Sequence, residues 1–243
     1  MIGQTPRSTR QRRERRAQAI RLRGRAGLCL VGLLLVGGSF AVPAAAATRG
    51  TAARPSGAPP AALQLEVVGQ VTSSAPTVSP ATSVQYGYLS AIRGVVPVFT
   101  PGPWNETTAI YTFFTDATTT MVIGNGPLKI IDREGTTTIY RRATPGAQFS
   151  APATFKDGMP IQVSTLHQQV IIDTLAGVFT TMNLNTITAT VSFTVNGRAM
   201  RLGTVGGTFR TVLSGHLNAP APPSGYFAGY AATVSGPASP HSD

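Results

Sequence analysis

Polar and apolar side chains alternate with a period of two along much of the chain after residue 61. The clearest example is residues 187–195, in which odd positions are apolar and even positions carry hydroxyl groups. Such alternation is typical of a β-strand with one face buried and the other in water. Asn196-Gly197 follows directly and favours a type I′ turn, because both residues tolerate a positive φ. The pattern therefore predicts a hairpin whose second strand covers residues 198–202.

Similar segments recur throughout residues 62–218, where β-branched and aromatic residues dominate and Gly, Asn or Pro interrupts them. We predict further strands at residues 63–71, 108–115, 119–123, 128–132, 136–142, 168–174, 178–183 and 208–217, with a turn at residues 133–135. No helical apolar period is sustained after residue 47. The sequence predicts an all-β domain: a single antiparallel β-barrel of about eight strands, with a β-sandwich as the alternative. The short hairpins favour the barrel, since closure removes exposed strand edges.

The chain before this domain has the form of a secretory signal. Residues 1–25 contain nine Arg and one Glu, residues 26–42 are largely apolar, and residues 43–47 read Pro-Ala-Ala-Ala-Ala. We therefore expect a signal-peptide helix within residues 1–47, cleaved after Ala47 or one residue earlier. The alternative is an uncleaved membrane anchor, since residues 26–47 approach the length that spans a bilayer. Either way the domain is expected outside the cytoplasm, secreted or in the cell envelope, and the Arg-rich leader favours a bacterial source.

Two further segments are low in bulky apolar residues. Residues 48–61 are rich in Pro, Gly and Ala, which predicts a disordered linker. Residues 219–243 have the same bias, so we predict a disordered, low-complexity tail. The large side chains of this tail are Tyr226, Phe227 and Tyr230.

The net charge of +11 belongs mostly to the leader. Residues 1–25 carry +8, whereas residues 48–243 hold eleven basic and eight acidic residues and carry +3. Nucleic-acid binding by the domain therefore has no electrostatic support. The single cysteine, Cys29, lies in the leader, so the processed chain would have no disulfide and no thiolate ligand for a metal.

The domain contains few side chains suited to catalysis or metal binding. His167 and His216 are far apart in sequence, and neither has a second His or Cys nearby, so no metal site is predicted. Ser214 and His216 would share one face of a strand, but the chain has no Gly-x-Ser-x-Gly motif, and we assign no catalytic residue. No cofactor is expected.

Two strand segments resemble the allene oxide cyclase and dirigent-type barrels. They are Ala109-Ile110-Tyr111-Thr112-Phe113-Phe114, and Gly206-Gly207-Thr208-Phe209 followed by Ser214-Gly215. The resemblance implies a small eight-stranded barrel with an apolar cavity that binds a hydrophobic small molecule or guides its cyclisation. It covers these two strands, and no functional position of that family is carried over to this chain.

Three functions are compatible with these features. The first is an exported, non-catalytic barrel that binds a small apolar ligand or a partner, since a barrel of about eight strands has room for one ligand. The second is a structural or adhesion module of the cell envelope, which the Thr-rich strands permit. The third is a cyclase or isomerase that acts mainly by shape. For a bound ligand, we predict contacts from Tyr86, Tyr88, Tyr111 and His167.

Overall fold

The protein is described by a computed structural model that covers residues 63–75, 77–220 and 223–234. The predicted leader and linker, residues 1–61, lie outside the described residues. The strands are β1 (Gln64–Ser73), β2 (Thr82–Ile92), β3 (Tyr111–Asn125), β4 (Leu128–Arg141), β5 (Met159–Asp173), β6 (Val178–Thr190), β7 (Phe193–Val195), β8 (Arg198–Met200), β9 (Thr208–Pro220) and β10 (Pro223–Thr233), with a short 3-10 helix at Pro152–Lys156.

Eight of these strands form a closed antiparallel barrel in the order β1-β10-β9-β6-β5-β4-β3-β2. Strands that are consecutive in this order are mostly joined by hairpins, and β1 pairs with β10 to close the barrel. The predicted all-β fold and eight-stranded antiparallel barrel are confirmed, and the β-sandwich alternative is wrong. Strands β7 and β8 form a separate two-stranded sheet.

The period-two alternation sorts side chains between the interior and the outer wall. On β6 buried positions alternate with exposed ones from Val178 to Asn185, and Phe179, Thr181 and Asn183 are among those that face inward. Interior apolar residues from the barrel strands form one buried cluster, to which Phe193 of β7 also belongs. Burial of this cluster provides the main favourable term in folding.

The predicted hairpin around Asn196-Gly197 is present, with φ values of 49° and 75° at the two turn residues. Its first strand is shorter than expected, because the alternating segment 187–195 is divided between β6 and β7. Strand β6 ends at Thr190, and residues Phe193–Val195 pair with Arg198–Met200 outside the barrel. The prediction of one continuous strand over residues 187–195 is therefore wrong.

The turn predicted at Arg133-Glu134-Gly135 is also wrong. These residues lie in the middle of β4, where they pair with β3 and with β5. A Cβ atom on Gly135 would lie 2.0 Å from the carbonyl oxygen of Asp116, so this glycine permits a close approach of the two strands. The glycine marks a tight strand contact instead of a chain reversal.

The tail predicted to be disordered contains the last strand of the barrel. Residues Pro223–Thr233 form β10, which pairs with β9 on one side and β1 on the other. Phe227 faces the interior and is 4% exposed, whereas the neighbouring Tyr226 is on the outer wall and is 54% exposed. The barrel domain therefore extends beyond the predicted boundary at residue 218, and the prediction for residues 219–243 is wrong over β10.

The two ends of the barrel are built differently. Short connections join β3 to β4 and β5 to β6 at one end, which we call the mouth; β1–β2 and β9–β10 also turn there. The long connections 93–110, 142–158 and 191–207 belong to the opposite end. Val95, Phe193 and Leu202 of these connections are buried with the interior cluster, so the opposite end is filled by side chains.

Part of the outer wall is covered as well. The connection between β4 and β5, including the 3-10 helix, packs against β2 and β3. Phe155 of this connection is fully buried, and its carbonyl oxygen accepts a hydrogen bond of 2.8 Å from the hydroxyl of Thr112. Consequently both faces of the central part of β2 are buried.

Candidate ligand-binding site

A chain of amide side chains crosses the interior of the barrel. Gln85 Nε2 on β2 donates to Gln168 Oε1 on β5, and Gln168 Nε2 donates to Asn183 Oδ1 on β6, both at 3.0 Å. All three residues are buried. Each of the three amides has a hydrogen-bond partner. This pairing reduces the free-energy cost of burying polar groups inside the barrel, which would be high if they were unpaired.

A cavity of about 380 Å³ opens at the mouth and reaches down to this amide chain. Its volume lies within the range of small-molecule sites. Most of its wall is apolar and comes from six strands: Val71, Ile131, Val170, Ile172, Phe179, Leu213, Leu217 and Phe227. The alternation of the strands and the short mouth connections together produce an apolar pocket that solvent can enter.

Part of the rim of the mouth is also apolar. Val122 lines the cavity and is exposed to solvent, as are Ile123 and Leu128 of the same β3–β4 hairpin. Leu175 in the β5–β6 turn is 85% exposed. Apolar groups that are exposed together in this way are typical of binding surfaces.

One charged side chain, Arg133, lies within the buried wall of the cavity. It is on β4, is 8% exposed, and directs its guanidinium towards β1, β3 and β5. Nη1 donates to Gln168 Oε1 at 3.2 Å, Nη2 donates to the hydroxyl of Ser73 at 3.4 Å, and Nε donates to the hydroxyl of Thr119 at 3.4 Å. All three acceptors are neutral, and all three bonds are longer than the usual 2.9–3.0 Å or so.

Burial lowers the pKa of Arg133 to about 10, because a charged group is less stable away from water. The group still carries its proton near neutral pH. Lys129, two inward positions nearer the mouth on the same strand, also lines the cavity. The charged side chains of the cavity wall are therefore basic, and both come from β4.

Tyr111 is placed at the filled end of the barrel, away from the cavity. It is 1% exposed, and its ring centroid lies 5.9 Å from that of Phe193. Burial raises the pKa of the Tyr111 hydroxyl, against a smaller lowering effect of Arg141. The residue packs within the interior cluster and is not among the residues that line the cavity at the mouth.

Tyr86 and Tyr88 lie together on the outer face of β2, beneath the β4–β5 connection. Both rings are within 6.3 Å of the ring centroid of Phe149, and Tyr86 also lies 5.4 Å from Phe155. Burial raises the pKa of Tyr88, and the negative charge of Glu106 adds to this effect. These two tyrosines anchor the covering connection and do not line the cavity.

His167 is on the outward face of β5 and borders an open depression of the outer wall. Its side chain is 67% exposed, and its Nδ1 atom lies 3.4 Å from Glu134 Oε1. The structure thus brings Tyr86 and Tyr88 together but separates them from Tyr111 and from His167. None of the four predicted contacts lines the cavity at the mouth.

Sequence reasoning missed Arg133 as a cavity residue because Arg133-Glu134-Gly135 was interpreted as a turn. The available signal was the alternation itself, since Ile131 and Arg133 share one strand face when residues 128–141 form a single strand. An arginine on the apolar face of a strand is uncommon unless it is paired or functional.

The described residues contain neither a cluster of metal ligands nor a helix suited to crossing a membrane. Within residues 63–75, 77–220 and 223–234, no three His, Cys, Asp or Glu side chains come together as metal ligands would. Over the same ranges, no helix has the length and apolar character that a membrane crossing requires.

The chain was compared with protein-family models, with curated proteins and with solved structures, and none of them matches it. The resemblance to allene oxide cyclase and dirigent-type barrels stays a prediction.

Proposed function

We propose that this chain is an exported β-barrel protein that binds a small apolar ligand in the cavity at its mouth. The observation that carries the proposal is the cavity of about 380 Å³, whose wall is mostly apolar and which opens to solvent. Removing a ligand's apolar surface from water there contributes roughly 25 cal/mol for each Å² buried. Export is supported by the signal-like composition of residues 1–47.

The proposal is limited to binding. For a shape-driven cyclase or isomerase, the sequence suggests three tyrosines and His167 as the ligand contacts. Tyr86, Tyr88 and His167 face away from the interior, and Tyr111 packs at the filled end. The proposal of a binding protein needs none of these groups.

The cavity itself is tested by filling it. Leu217 on β9 lines the cavity and is half-buried, so Leu217→Trp places an indole in the ligand space. Val212 on the same strand is 43% exposed on the outer wall, and Val212→Trp is the matched control. We expect decanol to bind the full-length protein and the Val212→Trp variant, and its affinity to fall about tenfold or more in Leu217→Trp.

Isothermal titration calorimetry measures these affinities, and native mass spectrometry of the purified protein shows whether a ligand is retained. Circular dichroism of each variant verifies that the barrel has formed. The proposal is wrong if the folded full-length protein neither retains a ligand nor binds decanol or decanoate. Equal decanol affinity in both Trp variants would place binding somewhere other than this cavity.

A further inference from the structure

The guanidinium of Arg133 is incompletely bonded within the barrel. A guanidinium has five N–H donors, and three of those of Arg133 reach acceptors, on Gln168, Ser73 and Thr119. Among the described residues, one N–H on each terminal nitrogen remains without a partner. The acceptors it does have are not dedicated to it, since Gln168 Oε1 also accepts from Gln85 at 3.0 Å.

The positive charge of Arg133 is also uncompensated over the described ranges. The ion pair found there joins Lys156 to Asp116, and the ring of His167 lies beside Glu134; Arg133 takes part in neither contact. Asp132 and Glu134 flank Arg133 on β4, but alternation directs their side chains to the opposite face of the strand. A buried charge without an opposite charge is costly, and burial is the cause of the lowered pKa of Arg133.

The residues around Arg133 indicate which type of ligand could neutralise its charge. Val71, Ile131, Val170, Ile172 and Phe227 line the same cavity and offer only hydrocarbon. A ligand that both pairs with Arg133 and fills this mostly apolar cavity would therefore combine an anionic group with an apolar body. A carboxylate has two acceptor oxygens, which match the two remaining N–H groups of a planar guanidinium.

We propose that the ligand of this cavity is an anionic amphiphile, an aliphatic carboxylate whose acid group pairs with Arg133 while its chain contacts the apolar wall. This inference rests on the proposed function and names the ligand class of the same site. The unpaired charge and the apolar wall belong to one cavity, so a single ligand satisfies both.

The test compares two probes that differ in their polar group. Decanoate and decanol have the same chain length, and only decanoate is charged at neutral pH. We expect the full-length protein to bind decanoate more tightly than decanol in calorimetric titrations. In Arg133→Met, which keeps a long unbranched side chain, the ratio of decanoate to decanol affinity is expected to fall about tenfold or more. Arg133→Lys keeps the charge and should retain part of the ratio.

Arg210→Met is the matched control, because Arg210 is exposed on the outer wall and its loss changes the net charge equally. The ratio should be unchanged in this variant. A structural readout separates the two roles of Arg133: if it serves the ligand, Arg133→Met unfolds in urea at the same or a higher concentration than the parent protein. A large loss of stability would assign the residue to the fold.

The outcomes distinguish this inference from the proposed function. If the parent protein binds decanol as tightly as decanoate, the anionic ligand class is wrong and the apolar cavity stands. If Arg133→Met leaves the affinity ratio unchanged, the pairing of the acid group with Arg133 is wrong. If neither probe binds and no ligand is retained, the proposed function fails as well. Should Arg133→Met not fold, the ratio in the parent protein and in Arg133→Lys decides the question.

Discussion

The surroundings of Arg133 show how a small barrel holds a charge in its wall. Its bonding partners come from β1, β3 and β5, so the guanidinium lies within reach of three strands at once. Three long bonds to neutral groups reduce the cost of burying the charge without removing it. Such a residue is held in place by the fold and is available to an anionic ligand.

Inward-facing glycines make room for the large aromatic rings of the interior. A Cβ atom on Gly69 would lie 2.7 Å from Phe227 Cζ and 3.0 Å from Phe113 Cζ. It would also lie 2.7 Å from the carbonyl oxygen of Tyr86, which belongs to the neighbouring strand and cannot rotate away. The glycine on β1 is therefore required by the two rings and by the pairing with β2.

We predict that Gly69→Ala lowers the free energy of unfolding by about 1–3 kcal/mol, because the added methyl group overpacks the interior. Gly124→Ala is the control, since a Cβ atom at that position on β3 meets nothing within 4 Å. The control should change the free energy of unfolding by less than about 1 kcal/mol. Urea unfolding of both variants measures the difference, and equal stabilities would show that the interior at Gly69 is loosely packed.

Strand β10 shows why composition misleads when it is considered without alternation. Its Gly, Ala and Pro content is that of a low-complexity tail, yet Gly225, Phe227 and Ala231 are buried and the residues between them are mostly exposed. Gly229 is needed because a Cβ atom there would lie 2.1 Å from the carbonyl oxygen of Val212. Small residues in β10 permit tight strand packing. Their abundance is the same feature from which composition alone predicts disorder.

Adjacent residues of β10 provide a direct test of its place in the barrel. Phe227→Ala removes a ring that is 4% exposed and lies 6.3 Å from the ring of Phe113, so we expect a loss of about 3–5 kcal/mol in the free energy of unfolding. Tyr226→Ala removes an exposed ring that stacks on His216, and should cost less than about 1 kcal/mol.

Chemical denaturation followed by circular dichroism compares the two β10 variants. Similar, small losses for both would mean that β10 is not part of the cooperatively folded barrel.

In strand β4, as in β10, composition alone led to a wrong prediction. Gly135 made residues 133–135 resemble a turn, and only the pairing with β3 and β5 shows that the strand continues through them.

The lengths of the connections make the barrel asymmetric along its axis. Long connections bring Val95, Phe193 and Leu202 into the interior at one end, whereas at the mouth no side chain of the described residues is packed over the opening in this way. This difference in connection length decides where a ligand could enter. The cavity, its apolar rim and Arg133 all belong to the half of the barrel nearer the mouth.

The leader sequence predicts the N-terminus of the exported protein. If residues 1–47 act as a signal peptide, the exported protein begins at Thr48 or one residue earlier, because small residues at 45 and 47 suit the peptidase. N-terminal sequencing and intact mass of the exported protein measure this. Replacing all four alanines at 44–47 by Arg should block processing at either position. A mature protein that retains residues 26–47 would instead support the membrane anchor.

Local pattern was sufficient to predict the fold class. Alternation and turn residues such as Asn196-Gly197 depend on neighbours along the chain, so they predicted strands, a hairpin and an all-β barrel without further information. The same reasoning predicted that Tyr111, Tyr86, Tyr88 and His167 all contact one ligand. It could not determine that these residues lie in different parts of the barrel. The face of the sheet on which a side chain lies depends on where its strand begins and ends.

Tertiary structure alone decided the site. Arg133 and Ser73 are 60 residues apart in sequence, and Thr233 bonds to Leu63 across 170 residues where β10 meets β1. Such contacts follow from strand order and register around the closed barrel, which no short segment encodes by itself. For this reason the sequence could predict a barrel with an apolar interior. The position of its opening and the location of a charged side chain in its wall could be determined only from the folded structure.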